Sequence, residues 1–406
     1  MHEKEDTQRF IPFPWFYSTA HRCWHLRRSL RSSDTAHSAG EKTVCGVCST
    51  VHRTFYDHKI KRIRDLSSGD ARIYLELPVR RVQCRRCGKV KQEKFAFLAN
   101  NPFYTKRFAY YVGKRCSTST VKDVAKEFHL DRRAVKELET QYMREKLRRA
   151  GNPGPKVIGI DEISIRKGHT YRIVVSDLER RRPIWFGGED RSEESLNRFF
   201  DELGPKKACK IRLAVMDMWK PFEKSTRQKA PQAAILYDKF HIIRHLNEAL
   251  DKIRKSEYAR LTGKDRKFIK GQKYTLLSHR ENLTTDGRRS LKTLLTANKR
   301  LNTAYILKEE FGQLWDYQLE AWSRKFFDNW KASLKWQRLD PYEKFAKMVE
   351  RHWDGIAAFC KPENKVALGF VEGLNNKIRV IQRRAYGLRD EEYLRLKVLT
   401  SMLPEI

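Results

Sequence analysis

The sequence predicts a multidomain α/β protein that binds a polyanion, and three observations lead to this prediction. After the Gly- and Pro-rich break at 151–155, apolar β-type runs alternate with helical patterns, as in an α/β domain. Before the break lie two Cys-x-x-Cys pairs and then a helical stretch. The 406 residues carry 85 Lys and Arg against 50 Asp and Glu, a net charge of +35. So large an excess of one sign favours nucleic acid as the partner.

The sequence contains no apolar run of the ~18 residues that a membrane span requires, and it shows no signal peptide pattern. We therefore expect a cytoplasmic, DNA-associated protein with no membrane partner. Eight cysteines in such a chain favour metal ligands over a disulfide framework. Residues 1–41 are expected to be an N-terminal extension, and their sequence predicts no role.

The two Cys-x-x-Cys pairs predict a zinc ribbon over residues 42–100. Four thiolates at this spacing suit the tetrahedral geometry of Zn²⁺. Between the pairs, residues 73–77 and 79–82 are of β type and predict a hairpin. The zinc could serve only to hold a small core, but residues 51–100 carry 13 Lys and Arg against 5 Asp and Glu, so a DNA contact is compatible. The predicted zinc ligands are Cys45, Cys48, Cys84 and Cys87. Arg85 and Arg86 are predicted to contact DNA phosphates.

Residues 101–150 are predicted to form a helix-turn-helix DNA-binding domain. One helical pattern runs from 118 to 130, and Asp131 is a suitable N-cap for the next helix. This second helix is basic at its start, where Arg132, Arg133 and Lys136 are predicted to contact DNA. A plain helical hairpin would show the same pattern, so both alternatives remain open.

After the break, the order of elements is that of a ribonuclease-H-like fold. Three strands in a meander are followed by a helix, a strand, a helix and a strand. The predicted strands are 157–165, 170–178, 182–188, 211–217 and 233–237, and the predicted helices are 193–203, 218–228 and 240–262. In this order the first and fourth strands are neighbours, so Asp161 and Asp217 should lie close together.

Three acidic residues are predicted to hold catalytic divalent ions. Asp161 interrupts an apolar strand, where an unpaired carboxylate costs several kcal/mol. Asp217 ends a second apolar strand, and Glu372 lies near the start of a basic helix. Each has a simpler explanation, as a strand-end acid, an N-cap or an acid favoured by the helix dipole. The three together, in a strongly basic protein, favour a site for Mg²⁺ or Mn²⁺.

Several short motifs resemble a bacterial insertion-sequence family, the ISL-three family of DDE transposases, from about residue 42 to the end. They are the two Cys-x-x-Cys pairs, Ile160-Asp161-Glu162, residues 215–219, Asp238-Lys239-Phe240-His241, residues 371–379 and residues 383–389. The resemblance implies a catalytic domain over 156–240 and 365–406, with an α-helical insertion domain over 241–364. It also implies that Asp161, Asp217 and Glu372 are the catalytic acids and that Arg379 contacts DNA. The final helix adds three further candidate DNA-binding residues, Lys377, Arg383 and Arg384.

The function implied is DNA transposition with structural Zn²⁺ and catalytic Mg²⁺ or Mn²⁺. The enzyme would bind the terminal inverted repeats of an insertion sequence, cleave at its ends and transfer the 3′-hydroxyls to target DNA, as a homodimer or larger assembly on paired ends. Two alternatives remain open: a ribonuclease-H-like nuclease or resolvase without strand transfer, and a zinc-dependent DNA-binding regulator with an inactive core. The tryptophans of the insertion could stack on unpaired bases or form a helical core.

Overall fold

The computed structural model describes residues 16–18, 23–26, 42–69, 71–151, 154–166, 170–366, 369–385 and 388–406. The predicted N-terminal extension 1–41 therefore lies largely outside the described residues, apart from two short strands. The chain divides into two compact units, residues 1–151 with 383–406 and residues 152–382. The predicted catalytic segment 365–406 is thus shared between the two units.

The first unit begins with a β-rich part built around one long strand. The strands are β1 (Phe16–Ser18), β2 (Cys23–Leu26), β3 (Thr43–Val44), β4 (Val51–His52), β5 (Asp57–Arg64), β6 (Tyr74–Gln83) and β7 (Val90–Gln92). β6 pairs antiparallel with β5 along its length, while β2 and β7 pair with its two ends on the other side.

The prediction of a hairpin between residues 73–77 and 79–82 is wrong, because residues 74–77 and 79–82 lie in the single strand β6. Pro78 is tolerated within this strand for a reason visible in the pairing. β2 pairs with residues 74–76 and β7 with residues 81–83, so neither covers Pro78. A proline, which has no N–H to donate, costs no ladder hydrogen bond on that side.

Three helices and the C-terminal helix complete the first unit. They are α1 (Lys106–Thr118), α2 (Val121–Phe128), α3 (Arg132–Ala150) and α16 (Glu391–Thr400). The side chain of Asp131 accepts a hydrogen bond from the Arg133 N–H, so Asp131 caps α3 as predicted. α16 packs on α3, where Tyr393 and Leu396 bury Met143.

The second unit contains a five-stranded mixed sheet. Its elements are β8 (Val157–Arg166), β9 (Thr170–Asp177), β10 (Arg182–Gly187), α4 (Glu193–Leu203), α5 (Pro205–Ala208), β11 (Leu213–Met216), α6 (Lys220–Lys229) and β12 (Ala234–Tyr237). The strand order is β10-β9-β8-β11-β12, antiparallel among the first three strands and parallel among the last three. The predicted sequence of strands and helices is confirmed, and the predicted bounds of α4 match the observed ones.

A helical segment follows β12. It contains α7 (Lys239–Arg260), α8 (Gly263–Gly271), α9 (Lys273–Leu277), α10 (Thr285–Ala297), α11 (Lys299–Phe311), α12 (Glu320–Ser333), α13 (Asp340–Arg351) and α14 (Trp353–Ala357), and α15 (Gly369–Arg384) comes after it. Trp315, Trp330 and Trp353 are buried in its core, whereas Trp322 and Trp336 are exposed. The core alternative therefore holds for three of the five tryptophans of this segment.

The two faces of the sheet have different coverings. Because strand side chains alternate, Ile158 and Ile160 point to the face covered by the helical segment. Val157 points to the opposite face, with Leu213 and Val215. The start of α15 packs on this second face through Phe370 and Val371.

Candidate active site and metal centre

Asp161 and Asp217 lie side by side on adjacent parallel strands. β8 and β11 pair in register with Ile160 opposite Met216. Asp161 and Asp217 are each the next residue along. Ile160 and Met216 both point into the large core, so pleating directs the Asp161 side chain to the other face, and Asp217 directly follows the last residue of β11. The face to which Asp161 points is the one on which α15 packs.

A hydrogen bond joins the helix that carries Glu372 to Asp161. The Asn375 amide donates to Asp161 Oδ2 at 2.6 Å, and Asn375 is 7% exposed. The same helix begins close to the sheet, because a Cβ added to Gly159 would lie 3.0 Å from a methyl carbon of Val371. Glu372 lies three residues before Asn375 and therefore on a neighbouring position of the same helix face.

The carboxylate of Asp161 has an unusual proton affinity. Burial raises its pKa to about 6, and the negative charge of Glu162 acts in the same direction. Two donors oppose this shift, the Glu162 N–H at 2.8 Å from Oδ1 and the Asn375 amide on Oδ2. A nearby cation would stabilise the ionised form, as expected of a metal ligand.

The fit of the three acids to divalent metal rests on this placement. Asp161 and Asp217 share one edge of the sheet, and the Oδ1 of buried Asn375 has no hydrogen-bond partner. Glu372 is exposed. Across the described residues, the ligand atoms of the three acids do not lie within 4.8 Å of one another, a distance that only the four-cysteine cluster meets. Carboxylate oxygens suit Mg²⁺ in their chemistry, but the structure does not bring Glu372 together with the two aspartates, although its helix contacts Asp161.

His241 lies close to the two aspartates, and sequence reasoning gave it no role of its own. Asp238 caps α7 by accepting the Phe240 N–H at 2.9 Å, and its other oxygen lies 3.4 Å from His241 Nδ1. Asp238, followed by the charges of Asp217 and Asp161, raises the pKa of His241 to about 9. His241 is therefore a cation at neutral pH beside the carboxylates.

Sequence reasoning also missed Asn375. Two other acids of the sheet, Glu162 and Asp177, have ion-pair partners. The three-residue spacing from Glu372 could have indicated Asn375, but the helical pattern does not say which strand residue it meets. Glu162 pairs with Arg191 at 3.1 Å. Asp177 is fully buried and pairs with Arg180 at 2.7 Å, at the other end of β8 from Asp161.

The four cysteines of the first unit converge as predicted. Each pair makes a tight turn that ends in a positive-φ residue, Ser49 or Gly88, and the N–H of that residue donates to the carbonyl of the first cysteine. Sulfur–sulfur distances of 3.4 and 4.0 Å across the pairs are close to the ~3.8 Å of tetrahedral Zn–thiolate geometry. Hydrogen bonds from Thr50 lower the pKa of Cys48 to about 6, which favours the thiolate. The residues present therefore fit a structural zinc ion.

The predicted DNA-contacting residues differ in their surroundings. Arg85, Arg86, Arg132, Arg133, Lys377, Arg379, Arg383 and Arg384 are exposed. Lys136 is different, because its ammonium pairs with Asp390 at 2.7 Å and lies over the Tyr393 ring. Arg384 also donates to the Ser117 carbonyl at 3.0 Å. Lys136 therefore contributes to the packing of α16, and its predicted DNA contact stays a prediction.

Comparison with known proteins identifies the class of protein to which this fold and its four-cysteine cluster belong, which is that of the transposases. A family model described as a transposase matches residues 158–398, and a model described as the zinc-finger of transposases of IS204, IS1001, IS1096 and IS1165 matches residues 41–87. The transposase of insertion sequence IS1001 from Bordetella parapertussis is 33% identical over 358 residues, 87% of each chain. The transposase of IS1557 from Mycobacterium tuberculosis is 28% identical over 261 residues, 58% of each chain.

The chain belongs to the ISL3 family of DDE transposases. Its N-terminal unit contains the family's zinc ribbon, and the four-cysteine cluster supports structural Zn²⁺. Of the helices that the structure describes, none is long and apolar enough to cross a membrane.

Proposed function

We propose that this chain binds the terminal inverted repeats of an insertion sequence, cleaves the DNA at the element ends and joins the freed 3′-hydroxyls to target DNA. The observation that carries the proposal is the hydrogen bond from Asn375 to Asp161. It ties the helix that contains Glu372 to the strand edge where Asp161 and Asp217 lie together. The helix that carries Glu372 and the strand that carries Asp161 therefore meet on one face of the sheet, which supports a joint role for the three acids.

The architecture supports a ribonuclease-H-like catalytic core. A meander of three antiparallel strands continues into two parallel strands, with order β10-β9-β8-β11-β12. The helical segment lies between β12 and α15 and accounts for the long sequence separation of Glu372 from the two aspartates. In the first unit, the three-residue turn between α2 and α3 supports a helix-turn-helix.

Each residue of the site has a stated role in the proposed reaction. Asp161, Asp217 and Glu372 would hold two divalent ions, which supply charge to activate the attacking oxygen and stabilise the leaving one. Asn375 holds the Asp161 carboxylate in place by its amide. His241 is held by Asp238 and contributes positive charge near the strand edge, where a phosphodiester would bring negative charge.

The proposed substrate and assembly follow from charge and chemistry. A net charge of +35 suits a long DNA contact, and such binding should weaken steeply as salt rises. The exposed arginines of the ribbon and of α3 are proposed to contact the terminal repeats, and those of α15 to contact DNA near the cut. Because two element ends must be joined together, a homodimer or larger assembly on paired ends is proposed.

Conservative replacement of each acid tests the catalytic part. Asp161→Asn, Asp217→Asn and Glu372→Gln should each lower cleavage of a labelled element end by at least ~10³-fold, while gel-shift affinity for that end stays within about threefold. Glu363→Gln, which changes an exposed acid shortly before α15, is the matched control and should cleave normally. Any of the three variants that cuts at the control rate removes that residue from the site.

A joining assay separates a transposase from a nuclease that only cuts. Pre-cleaved ends with a labelled, recessed 3′-hydroxyl are incubated with plasmid target and Mg²⁺. Covalent transfer of label into the plasmid is expected from the intact chain and should be lost in Asp217→Asn. Cleavage of the uncut end without any transfer would favour the resolvase alternative. Zinc-dependent DNA binding with neither activity would favour the regulator.

A further inference from the structure

A stacked column of side chains stands beside the proposed catalytic edge. The Arg191 guanidinium lies between two rings, with its Cζ 4.7 Å from the Tyr171 centroid and 4.6 Å from the Trp219 centroid. The Trp219 indole N–H donates to the Arg191 carbonyl at 2.8 Å. Trp219 follows Asp217 by two residues, so the column is anchored next to one proposed metal ligand.

A second anchor fixes the column next to the other aspartate. Arg191 Nη1 lies 3.1 Å from Glu162 Oε1, and Glu162 directly follows Asp161 in β8. The guanidinium is therefore oriented by an ion pair and by contacts with two aromatic rings. Such a preorganised arginine–aromatic stack loses little conformational freedom when a further flat group binds to it.

Trp219 is unlike the core tryptophans of the same unit. It keeps 37% of its surface exposed, whereas Trp330 is 1% exposed. Arg191 covers one side of the indole, and the hydrogen bond to its carbonyl fixes the ring orientation. The result is a rigid, partly exposed aromatic surface at the position where DNA must lie for Asp217 to act.

We propose that Trp219, supported by Arg191, is a stacking platform for one unpaired nucleobase beside the bond that is cut. This inference rests on the proposed function and extends it to the conformation of the substrate. In an intact duplex the faces of the bases are covered by their neighbours, so an indole surface can be matched only by a base that has left the stack. The Arg191 cation favours the accompanying phosphate.

Binding measurements with two probes test the platform. One duplex carries the paired element end, and the other is identical except for a single unpaired base at the cleaved position; Mg²⁺ is omitted so that neither is cut. The wild-type protein should bind the second probe more tightly. Trp219→Leu should weaken binding of the second probe by about 5- to 150-fold, the usual range for losing one base–aromatic stack, and leave the first unchanged.

Two control variants sharpen the measurement. Trp219→Phe keeps a ring and should retain most of the preference for the unpaired base. Tyr274→Leu removes a 77% exposed aromatic ring of the helical segment and should change neither affinity. Equal weakening of both probes by Trp219→Leu, or no weakening of either, would overturn the platform.

A cross-link on the wild-type protein removes the dependence on variant folding. With 5-iodouracil as the unpaired base, irradiation should cross-link the DNA to the peptide that contains Trp219 or to the one that contains Tyr171. Cross-links to other peptides alone would refute the proposal. If Asp161→Asn, Asp217→Asn and Glu372→Gln still cleave, the proposed function is wrong. The stacking proposal is tested separately, because its binding measurements are made without Mg²⁺.

Discussion

The sharpest physical prediction concerns Asp161, because its raised pKa means that the folded protein is destabilised by this charge. Asp161→Asn removes the charge and keeps the shape. The Glu162 N–H can still donate to the remaining side-chain oxygen. The Asn375 amide can rotate by a half-turn, so that its Oδ1, which now has no partner, accepts from the new N–H. Both hydrogen bonds of the site therefore survive the substitution.

The magnitude follows from the difference between about 6 in the folded chain and the ordinary value of 3.8. Two pKa units correspond to about 3 kcal/mol. Because the folded pKa is raised, the folded state binds the proton more tightly than the unfolded chain. The contribution of Asp161 to the free energy of unfolding is therefore most favourable below about pH 4 and is lost as the pH rises through about 6. At pH 7 the variant should be more stable by up to ~3 kcal/mol, and at pH 4 the difference should be near zero.

Calorimetry of the protein with zinc bound and without Mg²⁺ measures this difference in the free energy of unfolding. For a unit of this size, 1 kcal/mol shifts Tm by about 2–4 °C, so the transition of the second unit should rise by up to ~10 °C at pH 7. Excess Mg²⁺ should stabilise the wild type, by about 2.7 kcal/mol at 100-fold over Kd, but not the variant. A variant that melts at or below the wild type at pH 7, or a difference that does not change between pH 4 and pH 7, would refute the reasoning. Glu363→Gln serves as the exposed control.

Two further predictions concern the first unit. Elemental analysis should give one zinc per chain, and replacing Cys84 and Cys87 by Ser should abolish it and unfold the ribbon; stoichiometric zinc in that variant would contradict the site. Glu139, 2% exposed, accepts from Lys397 at 2.6 Å and from the Tyr393 hydroxyl. Glu139→Ala should cost about 1–3 kcal/mol, because it leaves the buried Tyr393 hydroxyl and the part-buried Lys397 ammonium without this partner, and it should speed hydrogen exchange in α16. The exposed neighbour Glu137→Ala should cost under ~1 kcal/mol; equal exchange in the two variants would contradict the buried pairing.

The elements predicted best are those whose local sequence carries its own boundaries. Ser192 caps α4, and the Val- and Ile-rich run of β8 is typical of a buried strand. The predicted hairpin within β6 is wrong because Pro78, taken locally, is a turn signal. Only the pairing of the neighbouring strands shows that no backbone N–H is needed at this position. From sequence pattern alone the helix that carries Glu372 is predicted to start near residue 364 and to be the final one; residues 362–364 instead form a 3₁₀ turn, α15 begins at Gly369, and α16 follows it.

The site shows the same division between local and long-range information. An acid inside an apolar run marks Asp161 without any structure, and the strand that ends on Asp217 marks the second acid. Nothing in the pattern of residues 371–379 reveals that Asn375, rather than Glu372, contacts Asp161. The stack of Tyr171, Arg191 and Trp219 joins three separate segments, and no spacing along the chain links them.

The packing of α16 on α3 has a consequence for synthesis of the protein. Tyr393 and Leu396 cover Met143, yet residue 393 leaves the ribosome 250 positions after residue 143. At roughly 5–20 residues per second, translation takes about 12–50 seconds to cover that distance. During this interval the emerging amino-terminal part has an uncovered apolar surface and an unpaired Glu139. Completion of this packing must therefore await synthesis of α16, and a polypeptide that terminates before residue 391 would leave this surface of α3 uncovered.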